Sequence, residues 1–278
     1  MPEPIFTLRD VSKSWPVSPE RVFLNRKQQQ ESTLALKEIN VSIYPGEIFV
    51  IVGLSGSGKS TLLRTLNYLI PPSSGHVYFQ GHNLALLSPA ALIAHRRRHT
   101  AMVFQAFALF DEKNVLDNVA FGLEVAGEGK AQRRQKAMSM LEKVGLAHVA
   151  SKYPGQLSGG MQQRVGLARA LVIDPDVLLL DEAFSALDPI IRREMQTLLL
   201  ALQADQKRTL VFVTHDMEEA LRLGSRIAIL EQGRLVQVGT PEALINTPAT
   251  PYVRHFFSGV DTSRWQQAEN FAGAWPTL

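Results

Sequence analysis

The chain has 278 residues, 45% of them hydrophobic, with 29 basic against 26 acidic side chains and no cysteine. That length allows a sizeable core and about two domains, the near balance of charge argues against a nucleic-acid partner, and the lack of cysteine excludes disulfides and thiolate metal sites. No apolar run reaches the roughly 18 residues of a membrane span, the start Met1-Pro2-Glu3-Pro4 is not a secretory leader, and the histidines lack ligand spacing, so no structural metal is expected and any membrane role falls to partners.

In chain order, the first strand-like run covers residues 5–8, and residues 16–33, with Gln28-Gln29-Gln30 and several charges, read as an exposed insertion. Strand-like runs follow at 41–44 and 48–52, the second of which, Ile48-Phe49-Val50-Ile51-Val52, is continuously apolar, as a strand buried on both faces should be. Directly after it comes Gly53-Leu54-Ser55-Gly56-Ser57-Gly58-Lys59-Ser60-Thr61, which matches G-x-x-x-x-G-K-[ST] at every fixed position and leads into a helical pattern through Leu62, Leu63 and Leu66.

This order of strand, glycine turn and helix is the context a phosphate-gripping loop requires. The glycines let successive amides turn inward around a phosphate, and the helix N-terminus adds about half a positive charge at the same point. Lys59 supplies a mobile charge for the β and γ oxygens of ATP, and the Ser60 hydroxyl is placed to ligate Mg²⁺. A flexible Gly/Ser linker would not be flanked by buried elements.

Further along, 77–79 and 101–104 read as strands, and between them Ser88-Pro89 opens a helix that runs into Arg96-Arg97-Arg98. Beyond Phe104 the strand signal disappears until Val177. Residues 133–144 carry Ala137, Met140, Leu141 and Val144 on one helical face and stop at Gly145. Residues 87–172 are therefore expected to form a helical subdomain inserted into an α/β core. Within it, Leu157-Ser158-Gly159-Gly160-Met161-Gln162-Gln163-Arg164 opens a helix and makes a second anion-binding start. Spacing leaves open whether it serves this chain's own nucleotide.

The buried run 177–180 ends in Asp181-Glu182, at the carboxyl end where α/β sheets present their ligands. Neighbouring strand residues point to opposite sides, so the two acids divide labour: Asp181 behind Mg²⁺, Glu182 over the γ-phosphate, polarising a water. The run 210–213 leads to Thr214-His215-Asp216, with Glu219 placed as in a capping box. After strands at 227–230 and 235–238, Asn246-Thr247-Pro248-Ala249-Thr250-Pro251 breaks the rhythm, which divides the chain into an ATP-binding domain over 1–247 and a peripheral tail over 248–278.

The phosphate loop, the L-S-G-G-x-Q stretch at 157–162, Asp181-Glu182, Ser185-Ala186-Leu187-Asp188 and Thr214-His215-Asp216 each occur once and in order. That set resembles the ATP-binding subunit of ABC transporters. The resemblance implies a P-loop NTPase (RecA-like) α/β core with an inserted helical subdomain. It also implies two copies sandwiching ATP head to tail, so that Ser158, Gly159, Gly160 and Gln162 complete the partner's site. It gives Gln105 the role of sensing Mg²⁺ and the attacking water, His215 that of γ-phosphate sensor, and Asp188 that of tying the copies together. For the adenine platform Trp15 is favoured, with Phe23 in contention.

A closer resemblance, carried by 47–61, 101–105, 115–119 and 181–189, is to importers of glycine betaine, choline or proline betaine. It implies integral membrane permease subunits reached through 105–125, an extracytoplasmic solute-binding protein, and a place at the cytoplasmic face of the membrane. Many members of that group continue into paired CBS domains, whereas this chain stops at Leu278, so ionic-strength sensing by such domains is not expected. Three rivals stand beside this reading: the same ATPase serving an importer of amino acids or sulfonates, a soluble ABC-type ATPase acting on nucleic acid or ribosomes, and a non-enzymatic nucleotide-gated subunit, which would need a degenerate catalytic centre although Lys59, Gln105, Asp181, Glu182 and His215 are all present.

Overall fold

In a computed structural model the described residues are 2–16 and 33–261, so residues 17–32 of the expected insertion, Phe23 among them, and the chain beyond Asp261 lie outside them. In chain order the elements are β1 (Phe6–Trp15), β2 (Thr33–Ile43), β3 (Ile48–Val52), α1 (Lys59–Leu66), β4 (Ser74–Phe79), β5 (His82–Asn83), α2 (Pro89–His99) and β6 (Thr100–Val103). They continue with α3 (Val115–Val125), α4 (Lys130–Lys143), α5 (Gly159–Leu171), β7 (Val177–Asp181), α6 (Pro189–Gln206), β8 (Thr209–Thr214), α7 (Met217–Leu223), β9 (Arg226–Glu231), β10 (Arg234–Gly239), α8 (Pro241–Asn246) and α9 (Pro251–Phe257).

A six-stranded sheet, ordered β10-β9-β3-β8-β7-β6, forms the centre. Its strands run parallel except β10, which pairs antiparallel with β9. The continuous apolar runs are explained by burial on both faces, because β3, β7 and β8 are buried at every position. Successive residues of β3, β7 and β8 alternate between two cores. Val50, Val52, Leu178, Leu180 and Phe212 join the core that takes in residues of α5 to α9. Phe49, Ile51, Leu179, Val211 and Val213 pack with Leu62, Leu63 and Leu66 of α1 and with Phe6, Leu36 and Val77 of a second, antiparallel sheet, ordered β2-β1-β4-β5.

A third core unites α3, α4 and α5 through Val115, Val119, Leu123, Ala137, Leu141, Val165 and Ala168. Helix α5 serves two cores at once, turning Leu167 and Leu171 to the large sheet and Val165 and Ala168 to the other helices. This helical cluster is narrower than the range 87–172, because β6 lies within that range yet pairs in parallel with β7 as a strand of the large sheet. No helix among the described residues is long and apolar enough to cross a membrane.

Two local readings need correction. Strands β1 and β2 run well beyond 5–8 and 41–44, because register shifts, with Asp10 and Glu38 at positive φ, break the two-residue alternation on which a sequence reading depends. The expected peripheral tail from 248 begins with α9, whose Val253 and Phe257 are buried in the main core. Pro251 is the first helical residue behind the Thr250 cap rather than a break.

Candidate functional site

Parallel register sets the site. Val52 lies opposite Thr214 and Asp181 opposite Val213, so the residues following β3, β7 and β8 emerge side by side at the carboxyl edge of the sheet. Those residues are Gly53, Glu182 and His215. One strand further out, Val103 pairs with Leu180, which places the exposed Gln105 at the same edge.

The loop from Gly53 to Gly58 exposes Leu54, Ser55 and Gly56 at its tip and buries Ser57. It closes on Gly58, the N-cap of α1, at φ 101°. A Cβ at Gly58 would come 2.4 Å from the Ala35 carbonyl oxygen, so conformation and space both demand glycine. The first intrahelical bond is Leu62 N–H to Gly58 O at 2.8 Å. The amides of Lys59, Ser60 and Thr61 therefore precede the helical ladder and are free to donate to an anion.

The Lys59 ammonium, 5% exposed, donates to the carbonyls of Gly53 at 2.8 Å and Leu54 at 3.1 Å, and lies 3.8 Å from Glu182 Oε1. Burial pulls its pKa below the usual lysine value against the opposing charges of Glu182 and Asp181. Ser60 Oγ donates to Asp181 Oδ1 at 2.6 Å, while Arg64 Nη2 holds Asp181 Oδ2 at 3.0 Å. Asp181 is 5% exposed. A hydroxyl and a buried carboxylate meeting at the mouth of the loop are hard oxygen donors of the kind Mg²⁺ takes, so the residues present fit that ion.

Glu182 takes φ 47°, a left-handed conformation that costs a non-glycine residue about 1–3 kcal/mol. The surroundings hold it there: its N–H donates to Val213 O at 3.1 Å, and its carbonyl accepts from Ser185 N at 3.1 Å and Ser185 Oγ at 2.9 Å. The resulting turn aims the carboxylate between Lys59 and His215, with Oε2 3.4 Å from His215 Nδ1. His215 itself is exposed.

Behind His215, Asp216 caps α7 by accepting from Glu219 N at 3.1 Å, but the reciprocal half of a capping box is missing. The Glu219 carboxylate turns inward, where it accepts from Thr214 Oγ1 at 2.5 Å and Gln196 Nε2 at 3.0 Å. Burial raises its pKa, and these two hydrogen bonds oppose the rise.

The second glycine stretch stands apart. Ser158 caps α5, accepting from Met161 N at 3.3 Å, and Gln162 Nε2 donates to the carbonyls of Pro154 and Leu157 at 3.1 and 3.3 Å. Among the described residues, Ser158, Gly159, Gly160 and Gln162 form no hydrogen bond with Gly53–Thr61. Gly160 instead lies against the start of α6, where a Cβ would come 2.5 Å from Ile191 Cγ2. Asp188 caps that same helix start, accepting from Ile190 N and Ile191 N at 3.1 and 3.0 Å. Trp15, at the end of β1, is 41% exposed, with Lys13 Nζ 4.6 Å from its ring centroid.

Sequence reasoning missed Arg64, Arg192 and Gln196. Arg64 had a signal, since it follows Ser60 by one helical turn and shares its face. Gln196 and one of the Arg192 bonds reach Glu219 and Asp216, in a segment that only the fold brings beside α6.

A family model described as ABC transporter matches residues 36–185. The chain is 51% identical to the glycine betaine/proline betaine transport system ATP-binding protein ProV of Escherichia coli, covering 97% of this chain and 70% of that protein. It is 52% identical to the glycine betaine transport ATP-binding protein OpuAA of Bacillus subtilis, covering 84% of this chain and 56% of that one. Among solved structures, a dimeric ATP-binding cassette in a post-hydrolysis state bound to ADP and Pi is similar at a TM-score of 0.74 and 34% identity, covering 85% of this chain and 98% of its own.

Proposed function

The chain belongs to the ABC transporter family, and we propose that it is the ATP-hydrolysing subunit of an importer for glycine betaine, proline betaine or a similar quaternary amine. The observation that carries hydrolysis is the convergence of Lys59, Ser60, Asp181, Glu182 and His215 at one sheet edge. The substrate class is supported by 51% identity, over 97% of the chain, to a protein named for betaine transport.

In this reading the free amides at the start of α1 and Lys59 hold the ATP phosphates. Ser60, Asp181 and Gln105 would hold Mg²⁺, which when bound offsets the charge of the β and γ oxygens. Glu182, oriented by its anchored backbone, polarises the attacking water, and His215 faces the γ-phosphate. Ser158, Gly159, Gly160 and Gln162, at the start of α5, complete the site of a second copy, with Asp188 at the neighbouring start of α6. Trp15 stacks on adenine. Permease subunits contacting 105–125 hold the chain at the cytoplasmic face of the membrane, and an extracytoplasmic binding protein delivers the solute.

The test is purification of the chain with its membrane subunits and binding protein, followed by an ATPase assay in vesicles. Stimulation by glycine betaine is expected. Stimulation by amino acids or sulfonates instead would reassign the substrate, and stimulation of the chain alone by nucleic acid would overturn the import reading.

A further inference from the structure

We propose that Arg192, in the first turns of α6, is a positioning residue for hydrolysis whose guanidinium grips both segments carrying Glu182 and His215 and keeps those side chains in register. The inference rests on the roles proposed above for Glu182 and His215. Arg192 Nη1 donates to Asp216 Oδ2 at 3.2 Å, one residue beyond His215. Its Nη2 donates to the carbonyls of Ser185 at 3.3 Å and Leu187 at 3.2 Å, in the loop that follows Glu182.

Ser185 in turn holds the Glu182 carbonyl through both its amide and its hydroxyl. A closed circuit results: Glu182 to Ser185, Ser185 to Arg192, Arg192 to Asp216, and His215 back to Glu182 at 3.4 Å. One turn further along α6, buried Gln196 reaches Glu219, which holds Thr214, so the same helix pins the His215 corner from inside as well.

The chemistry of the side chain fits this task. A planar guanidinium serves several acceptors in fixed directions, whereas an ammonium is a point charge. Asp188 caps the start of the same helix, so a partner copy meeting Asp188 would press on the element that carries Arg192.

The experiment measures ATP turnover and KM of the full chain carrying Arg192→Met, Arg192→Lys or Asp216→Asn, alone and with His215→Ala. Arg192→Met is expected to lower kcat about 10- to 100-fold, the scale of a displaced catalytic group, while KM for ATP stays within about two-fold. Arg192→Lys should recover part of the loss. In the His215→Ala background Arg192→Met should cost a smaller factor than in the wild type, because only Glu182 is then left to position. Wild-type kcat in Arg192→Met, or a loss that multiplies in full with His215→Ala, would overturn the proposal. Should Arg192→Met fail to fold, Asp216→Asn decides: asparagine still caps α7, so melting should hold while kcat falls, and unchanged kcat would overturn the idea. Normal turnover in Glu182→Gln would remove the role of Glu182 on which the inference rests, an outcome distinct from any Arg192 result.

Discussion

His215 Nδ1 lies 3.4 Å from Glu182 Oε2, while the other oxygen of the same carboxylate lies 3.8 Å from Lys59 Nζ. The carboxylate is thus held between a cation at the phosphate loop and an imidazole at the end of the neighbouring strand, and the left-handed turn at Glu182 makes that placement possible. A glutamine keeps the shape and loses the basicity. Glu182→Gln should therefore bind ATP with near-normal affinity and lose about 10²–10⁴ in turnover. Nucleotide titration with single-turnover kinetics checks it, and retained hydrolysis would remove Glu182 from the role of base.

Ser60 and Asp181 share one short hydrogen bond, and Arg64 secures the far oxygen of the carboxylate. Removing either the Ser60 hydroxyl or the Asp181 carboxylate should weaken nucleotide binding mainly when Mg²⁺ is present. Ser60→Ala or Asp181→Asn should lower Mg²⁺-dependent affinity about 10- to 100-fold, the range seen when a metal site loses an orienting partner. Equal affinities with and without the ion in the wild type would contradict the assignment.

Gly58 has no room for a methyl group beside the Ala35 carbonyl and sits at φ 101°. Gly58→Ala should destabilise the chain by more than about 1 kcal/mol, since an alanine at positive φ loses more than the entropy it saves. Urea unfolding of the variant gives the number, and an unchanged midpoint would show that the loop relaxes freely.

Glu219 ties stability to pH. Burial lifts its pKa above the ordinary 4.5, opposed by the hydrogen bonds from Thr214 and Gln196. With the folded value above the unfolded one, the folded chain holds more protons between the two. This group's contribution to stability is present below the unfolded pKa and is lost as pH rises through the folded one. Glu219→Gln should flatten that part of the stability profile, measured as denaturation midpoint against pH. A variant whose slope matches the wild type across this window would refute the assignment.

The parts of the site legible in the sequence are those whose chemistry is local. Gly53–Thr61 needs only its own glycines, lysine and following helix, and Ser158 and Asp188 cap the helices that begin directly after them. Continuous apolar runs identified β3, β7 and β8 because strands covered on both faces have no polar side to alternate with. Strands β1 and β2 were foreshortened because bulges change which face a residue occupies, and α9 was missed because Pro251 starts a helix as readily as it stops one.

The sequence by itself determined the kind of molecule: a phosphate loop between a buried strand and a helix, acidic residues at the end of another buried strand, and an ordered motif set shared with one ATPase family. Only the tertiary structure decided which of these groups meet. The parallel register that sets Val52 beside Thr214 and Asp181 beside Val213 brings Lys59, Glu182 and His215 together. Helix α6 then closes them with Arg192 and Gln196. Backbone conformation is set within a few neighbouring residues, whereas a hydrogen bond between distant segments exists only once the sheet and the cores on its two faces have brought them within reach.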